Sequence, residues 1–200
     1  MLPGQKEGIQ AMYQTHAITQ LMIKYADAHQ GNFPTGASST EVFQKLVEAE
    51  HLSPPSPSGE EIARSKMGEQ DMNDTGIFYV KMPGKTVAAS NVLRPENVCF
   101  DVTIPVDKGS PGELPVVFVT GYRVTYAPGG TAIPLFEHHY ISSAVTCFDG
   151  SNYAIFEGIG ISENRPYYQS NGAILNFIPA RFDAAGKKYV QLTPNGPLGR

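Results

Sequence analysis

The hydrophobic and polar positions near the start of the chain follow the period of one long helix. Neither glycine nor proline interrupts the stretch from Ile9 to Gln30, and Gly31 followed by Pro34 supplies stop signals. We therefore predict a helix that ends at Gly31. Its later half carries apolar residues at the i, i+3, i+4, i+7 spacing of a buried helix face, namely Ile18, Leu21, Met22 and Tyr25.

A second apolar cluster belongs to the first half of the same helix. It consists of Ile9, Met12 and Tyr13, and at ~100° per residue it lies roughly opposite the stripe that begins at Ile18. One small domain cannot bury both faces, because they point in different directions. We expect one half of the helix to dock on its own chain and the other half to contact neighbouring molecules.

A second, shorter helix is predicted from Ser39 to about Glu50. Ser38 and Glu41 have the spacing of a capping box, and apolar residues at helical spacing follow them. The Ser- and Pro-rich segment 53–58 cannot continue a helix. About two further helical turns are predicted around residues 62–67, and residues 68–76 are expected to form a polar loop.

From Ile77 onward the hydrophobic period changes to two, and β-branched and aromatic residues dominate. Asp149-Gly150 and Asn171-Gly172 are the best candidates for tight hairpin turns, since both pairs suit positive φ. The tail Thr193–Arg200 is expected to be frayed. The predicted strands are Ile77–Met82, Thr86–Asn91, Asn97–Ile104, Val116–Tyr126, Ala132–Phe136, Ile141–Phe148, Tyr153–Ile161, Ala173–Phe182 and Tyr189–Leu192.

These elements predict an α+β fold, in which a long N-terminal helix and a short helix attach to an antiparallel β-rich domain. A twisted sheet of roughly eight strands packs most easily as two layers, so we favour a two-layer, immunoglobulin-like β-sandwich. The predicted divisions are a helical segment 1–53, a polar connection 54–76 and a β domain 77–200.

Composition narrows the function classes. The 200 residues are enough for one domain with its own core. With 15 Lys+Arg against 19 Asp+Glu, a net charge of −4 and no basic run, nucleic acid is a poor partner. The 20 glycines and 16 prolines fit a β-rich domain with many turns. No window has the ~18 consecutive apolar residues of a membrane span, and no signal peptide is visible.

The helix pair carries a set of residues at a distinctive spacing. They are Leu21, Tyr25, Ala26, Gly31, Phe33 and Pro34, followed by Thr40, Leu46, Val47, Leu52, Ser53 and Pro54. This pattern resembles the type IV pilin and type II secretion pseudopilin superfamily, and Leu2-Pro3-Gly4 resembles the point where the membrane half of such a helix ends. We therefore expect the 200 residues to be a soluble ectodomain that lacks this membrane half, with Met1 supplied by cloning.

The resemblance implies a non-enzymatic structural subunit of a pilus or secretion pseudopilus. It implies a cell-envelope or extracellular location, with anchoring in the membrane before assembly. The implied partners are other pilin or pseudopilin subunits and the inner-membrane assembly machinery. The implied assembly helix carries Ile9, Met12, Tyr13, Ile18, Leu21, Met22 and Tyr25. The number of predicted strands favours the sandwich over the single sheet common in pilins.

The later part of the chain is similar, more loosely, to a bacterial branch of pseudopilin-like proteins. The similarity rests on the apolar run from Leu114 to Val119 and on Ala144–Tyr153, which contains the Asp149-Gly150 turn. That branch often places a histidine about ten residues before the Asp-Gly pair, and His139 has this spacing.

Cys99 and Cys147 are the two cysteines of the chain. A disulfide between them would close a loop of ~49 residues and stabilise the fold by about 3–4 kcal/mol. Both cysteines also lie in apolar runs, where a thiol packs as a small hydrophobic group. The sequence leaves both states open.

The candidate chemical motifs are incomplete. His138 and His139 follow Glu137, but adjacent strand residues point to opposite faces and a zinc site needs three or four ligands. Asp71–Gly76 imitates the start of a calcium loop, whose twelfth position would be Met82, so we prefer a turn-forming polar loop. Gly158-Ile-Gly160 lacks a third glycine at position 163. We predict no catalytic site, no cofactor and no metal.

Tyr167 and Tyr168 are a candidate surface contact for protein or glycan, but for this pair we favour strand packing beside the Asn171-Gly172 hairpin. They support a second reading, in which the chain is an adhesion module that binds a host surface protein or glycan through its loops. A third reading, an enzyme of another type, would require a pocket that gathers His138 or His139 with carboxylates.

Overall fold

The computed structural model describes residues 5–54, 74–135, 143–156, 159–160, 168–170 and 173–198. Helix α1 spans Gln5–Ala28, helix α2 spans Ser39–Glu50, and two short 3-10 helices span Thr75–Phe78 and Pro95–Asn97. The strands among the described residues are β1 Phe100–Ile104, β2 Pro115–Val119, β3 Tyr122–Val124, β4 Ala132–Pro134, β5 Ser143–Cys147, β6 Asn152–Phe156, β7 Ile159–Gly160, β8 Tyr168–Ser170, β9 Ala173–Leu175, β10 Val190–Thr193 and β11 Gly196–Pro197.

Both helices end at the signals that the sequence carries. Ser38 Oγ accepts a hydrogen bond from the Glu41 N–H at 3.2 Å, and α2 has the predicted bounds. After the last helical residue of α1, the chain turns through Gly31, which has φ +86° and donates its N–H to the Ala26 carbonyl at 2.7 Å. The predicted helix pair is therefore confirmed.

The strands form two antiparallel sheets, so the α+β class with antiparallel sheets is confirmed. One sheet has seven strands in the order β11-β10-β1-β2-β5-β6-β7, and the other has four in the order β3-β4-β9-β8. The turn at Asp149-Gly150 joins β5 to β6, and Gly150 has the expected positive φ of +82°. The Asn171-Gly172 pair and the predicted turns at 62–67 lie outside the described residues.

Helix α1 packs on one face of the seven-stranded sheet. Thr146 on β5 contacts Thr15 of α1, and Val117 on β2 is the register partner of Thr146, so both strands present these residues toward the helix. The opposite face carries Phe118, whose ring meets Phe177 edge to face with ring centroids 5.5 Å apart. Buried apolar residues of α1, α2 and the sheets form one core cluster. The division at residues 53 and 76 stays a prediction.

The predicted strand Val116–Tyr126 was wrong as a single element. It is two strands in different sheets, because Thr120 and Gly121 interrupt the ladder and Gly121 has φ +100°. The chain thereby passes from the seven-stranded sheet to the four-stranded sheet within two residues.

Two predicted strands before β1 were also wrong. Ile77 and Phe78 belong to a 3-10 helix, whose first turn the Asp74 side chain caps by accepting the Gly76 N–H at 2.7 Å. The segment predicted as Thr86–Asn91 forms no strand. In the first of these two segments Phe78, Val80 and Met82 are buried at alternating positions because they pack on the core, and Phe78 lies against Phe43 with ring centroids 5.1 Å apart.

The prediction of a frayed tail was wrong for residues 193–198, which the structure describes. β10 continues to Thr193, β11 pairs with it, and Thr40 of α2 donates its hydroxyl to the Pro194 carbonyl at 2.9 Å. The predicted strand Ala173–Phe182 ends at Leu175, because Asn176 adopts φ +53° and turns the chain. β8 and β11 were not predicted.

Candidate functional site

The inward face of α1 changes character along its length. In the later half it is apolar, and Ile18, Leu21 and Met22 are buried in the core. In the first half it is built from small and polar residues, all of them buried, namely Gly8, Ala11, Gln14 and Thr15. The helix therefore buries one continuous face against its own chain, and Ile9 and Tyr13 are not needed to complete it.

A polar cluster joins the first half of α1 to β5 and β6. Thr146 Oγ1 lies 3.0 Å from Thr15 Oγ1 and 3.0 Å from Asn152 Oδ1. Asn152 Nδ2 donates to the Met12 carbonyl at 2.9 Å. Ala144 and Ala154 are register partners on this same face, two positions from Thr146 and Asn152, and their small side chains allow the helix to lie close to the sheet.

Gln14 links the helix to the segment that begins at Asp74. Its Nε2 donates to the Tyr79 carbonyl at 2.7 Å and to the Gly76 carbonyl at 3.2 Å. Both amide hydrogens of this fully buried glutamine therefore have acceptors, while its Oε1 has no hydrogen-bond partner among the described residues.

The outward stripe of α1 is apolar in its first half and polar in its second. Tyr13 is 47% exposed, while Ile9 and Met12 are half-buried. Farther along the same stripe, in the second half of the helix, the exposed positions are Gln20, Lys24 and Asp27. Lys24 forms an ion pair with Glu50 of α2. Of the seven residues assigned to the assembly helix, Ile18, Leu21 and Met22 lie in the chain's own core, and Tyr25 is half-buried and stacks on His29 at 3.8 Å. Met12 packs partly against the core, so Tyr13, with the half-buried Ile9 beside it, remains at the surface.

Comparison of the chain with protein-family models, curated proteins and solved structures gave no match. No helix in the described ranges combines the length and the apolar character that a bilayer crossing requires. The same part of the chain contains no group of three or more His, Cys, Asp or Glu side chains that could hold a metal ion.

The other residues singled out from the sequence fall in different places. His138, His139 and Tyr167 lie outside the described residues. Asp74, the described carboxylate of the calcium-like stretch, caps the 3-10 helix. Cys99 and Cys147 are both buried thiols, and burial raises the pKa of Cys99 to about 11, although a backbone hydrogen bond with Val80 and the charge of Lys85 lower it.

The outer face of the four-stranded sheet exposes apolar residues. Ile133 on β4 is 50% exposed and Leu175 on β9 is 38% exposed. The register Ala132↔Ile174 puts their buried neighbours on the inner face, so Ile133 and Leu175 share the outer face. Tyr168 is the register partner of Leu175.

Sequence reasoning missed the buried carboxyl group of Asp101. Asp101 is fully buried on β1, and its Oδ2 accepts a hydrogen bond from Gln191 Nε2 at 2.6 Å. Burial raises its pKa to about 7, although the side chains of Thr120 and Gln191 and the charge of Lys85 lower it from the value that burial alone would give. The signal was present as an aspartate between Phe100 and Val102 in an apolar strand.

Proposed function

We propose that this protein is a non-enzymatic structural subunit of a type IV pilus or a type II secretion pseudopilus, and that it assembles through α1. The observation that carries the proposal is the exposure of Tyr13 on the first half of α1, next to the half-buried Ile9, while the opposite face of the same half is already docked on the sheet. An aromatic residue with an apolar neighbour on an outward helix stripe suits contact with another helix.

The resemblance of the helix pair to pilins supports the same proposal. A long helix laid against an antiparallel sheet, with one stripe left outward, suits subunits whose helices bundle at the centre of a filament and whose β-rich parts lie outside. The partners would be other subunits and the inner-membrane assembly machinery. The location would be the cell envelope, with anchoring in the membrane before assembly.

The proposal includes a two-layer β-sandwich, immunoglobulin-like in outline. Its support comes from side chains that link the two sheets. Phe118 and Phe177 pack edge to face, and Gln191 of β10 donates from Nε2 to the Tyr122 carbonyl of β3 at 2.6 Å.

Self-association of the purified protein tests the assembly surface. Sedimentation equilibrium of the wild type up to millimolar concentration should show concentration-dependent association, and the double variant Ile9→Ser/Tyr13→Ser should sediment as a monomer. Val92→Ser is the matched control, because Val92 is an exposed apolar residue outside α1. A wild type that stays monomeric, or association that survives the double substitution, would contradict the proposal.

A second candidate function is adhesion, favoured by the exposed pair Ile133 and Leu175 beside the register position of Tyr168. The partner would be a host surface protein or glycan. The double variant Ile133→Ser/Leu175→Ser should then lose binding to host cells, whereas Ile9→Ser/Tyr13→Ser should retain it. Equal loss in both variants would separate neither surface and would point to global unfolding, which circular dichroism detects.

A further inference from the structure

Asp101 lies in the layer between the two sheets. Its register partner across β1 and β2 is Phe118, which faces Phe177 and not α1. On the other side, β1 pairs with β10, where Thr103 is the partner of Gln191. Asp101 and Thr103 are two positions apart on β1, so their side chains point to the same face of the sheet. The Asp101 carboxyl group and the Gln191 amide therefore share the face that meets β3.

The Gln191 amide connects three strands with all of its hydrogen-bonding groups. Nε2 donates to Asp101 Oδ2 at 2.6 Å and to the Tyr122 carbonyl at 2.6 Å. Oε1 accepts the Val124 N–H at 3.0 Å. The Gln191 side chain therefore links β3 to both β1 and β10, and its amide is oriented by the Asp101 carboxyl group.

The Asp101 carboxyl group is poorly compensated for a buried acid. Its Oδ1 has no hydrogen-bond partner among the described residues. Lys85 lowers the pKa of Asp101 through its charge, yet its Nζ donates to the Pro95 carbonyl at 2.7 Å. The Tyr126 hydroxyl, the other titratable group that faces Asp101 from the β3 side, is 2.6 Å from the Thr103 hydroxyl.

Cys99 and Glu96 complete the titratable groups near Lys85. None of these side chains supplies Asp101 with a partner that would balance a full negative charge in the interior. Thr120 and Gln191 both donate more strongly to a carboxylate than to an acid, but two neutral donors do not offset the cost of burying that charge.

We propose that Asp101 is a proton-controlled latch between the two sheets, whose neutral form docks β3 on β1 and β10 and whose carboxylate weakens that docking. The latch does not depend on assembly through α1. It concerns the sheet that carries Ile133, so it would couple the acidity of the surroundings to the position of that exposed surface.

The direction of the pH dependence follows from linkage. The pKa of Asp101 is raised by docking to about 7 from an ordinary value of 3.8, so the stability of docking is complete at low pH and is lost as pH rises toward 7. Above that value the loss levels off, because the carboxyl group is then ionised in both states.

Amide hydrogen exchange at Val124 reads the latch directly, since its N–H donates to Gln191. After correction for intrinsic exchange, protection of this amide should fall about 30-fold between about pH 5.5 and about pH 8.5. Amides of α1, such as that of Ile18, should change much less, because they do not bind Asp101 or Gln191. Constant Val124 protection across this range would overturn the proposal.

Asp101→Asn should remove this pH dependence, while the matched control Asp107→Asn should keep it. Asp107 is a surface carboxylate paired with Lys187, and that pairing lowers its pKa. If Asp101→Asn does not fold, titration of the Asp101 carboxyl carbon in the wild type by NMR decides the matter. A pKa of Asp101 near 4 would overturn the proposal, and a pKa near 7 would support it.

Discussion

The hydroxyl of Thr146 on β5 lies 3.0 Å from the hydroxyl of Thr15 on α1, in an interface where both side chains are fully buried. Hydrogen bonds and small side chains, and not large apolar groups, thus hold the first half of the helix to the sheet. The second half is held by Ile18 and Met22. One helix is attached by two kinds of contact.

The polar contact predicts non-additive mutations. Thr15→Val and Thr146→Val should each lower the free energy of unfolding by about 1 kcal/mol, because each leaves a buried hydroxyl with fewer partners. The double variant should lose less than the sum, with a coupling of about 0.5–1 kcal/mol, because both hydroxyls of the pair are then replaced by methyl groups of similar shape. Urea unfolding measures all four proteins of the cycle, and strictly additive losses would show that the two hydroxyls do not interact.

Substitutions on the inward and outward stripes of α1 should change the stability by very different amounts. Ile18→Ala should lower the free energy of unfolding by about 2–4 kcal/mol, because Ile18 is fully buried and the substitution leaves a cavity. Tyr13→Ser should change it by less than about 0.5 kcal/mol, because Tyr13 is at the surface. Thermal and urea unfolding of the two variants in parallel measure the difference. A large loss in Tyr13→Ser would mean that this side chain packs on its own chain and is not available to a neighbour.

Local patterns predicted the helices well because their signals are local. Ser38 and Gly31 stop or start a helix through bonds to residues within five positions, and these bonds form as expected. The strands were harder, because burial of Phe78, Val80 and Met82 gives the same alternation as a strand in a sheet without requiring one. The break at Gly121 likewise depends on a second sheet that the local sequence does not specify.

The candidate site divides in the same way. The outward position of Tyr13 follows from helical period, so the sequence predicted it. The hydrogen bond between Gln191 and Asp101 joins residues that are ninety positions apart, and no local pattern relates them. An acid within an apolar strand signals only that a partner must exist, and the fold alone shows which residue it is.

Alanine substitutions at the adjacent Gly129 and Gly130, which follow β3, should lower the stability by very different amounts. A Cβ at Gly130 would lie 1.9 Å from the Thr125 carbonyl oxygen, so Gly130→Ala should lower the free energy of unfolding by about 3 kcal/mol or more. Gly129 has φ +72° with no atom within 4 Å of the same added carbon, so Gly129→Ala should cost only about 1 kcal/mol. Unfolding curves of the two variants test the pair, and equal losses would contradict this path of the chain between β3 and β4.

The cysteines predict how the protein reacts with thiol reagents. Cys99 and Cys147 are both buried thiols, and the raised pKa of Cys99, about 11, leaves little thiolate at neutral pH. The folded protein should therefore react slowly with a maleimide or with an aromatic disulfide, and the unfolded protein should take up two equivalents without prior reduction. Mass spectrometry after labelling in denaturant counts the adducts. An unlabelled chain that gains two adducts only after reduction would show a Cys99–Cys147 disulfide. It would also require a different arrangement of the sheet, because Cys99 lies just before β1, Cys147 lies on β5, and β2 lies between these strands.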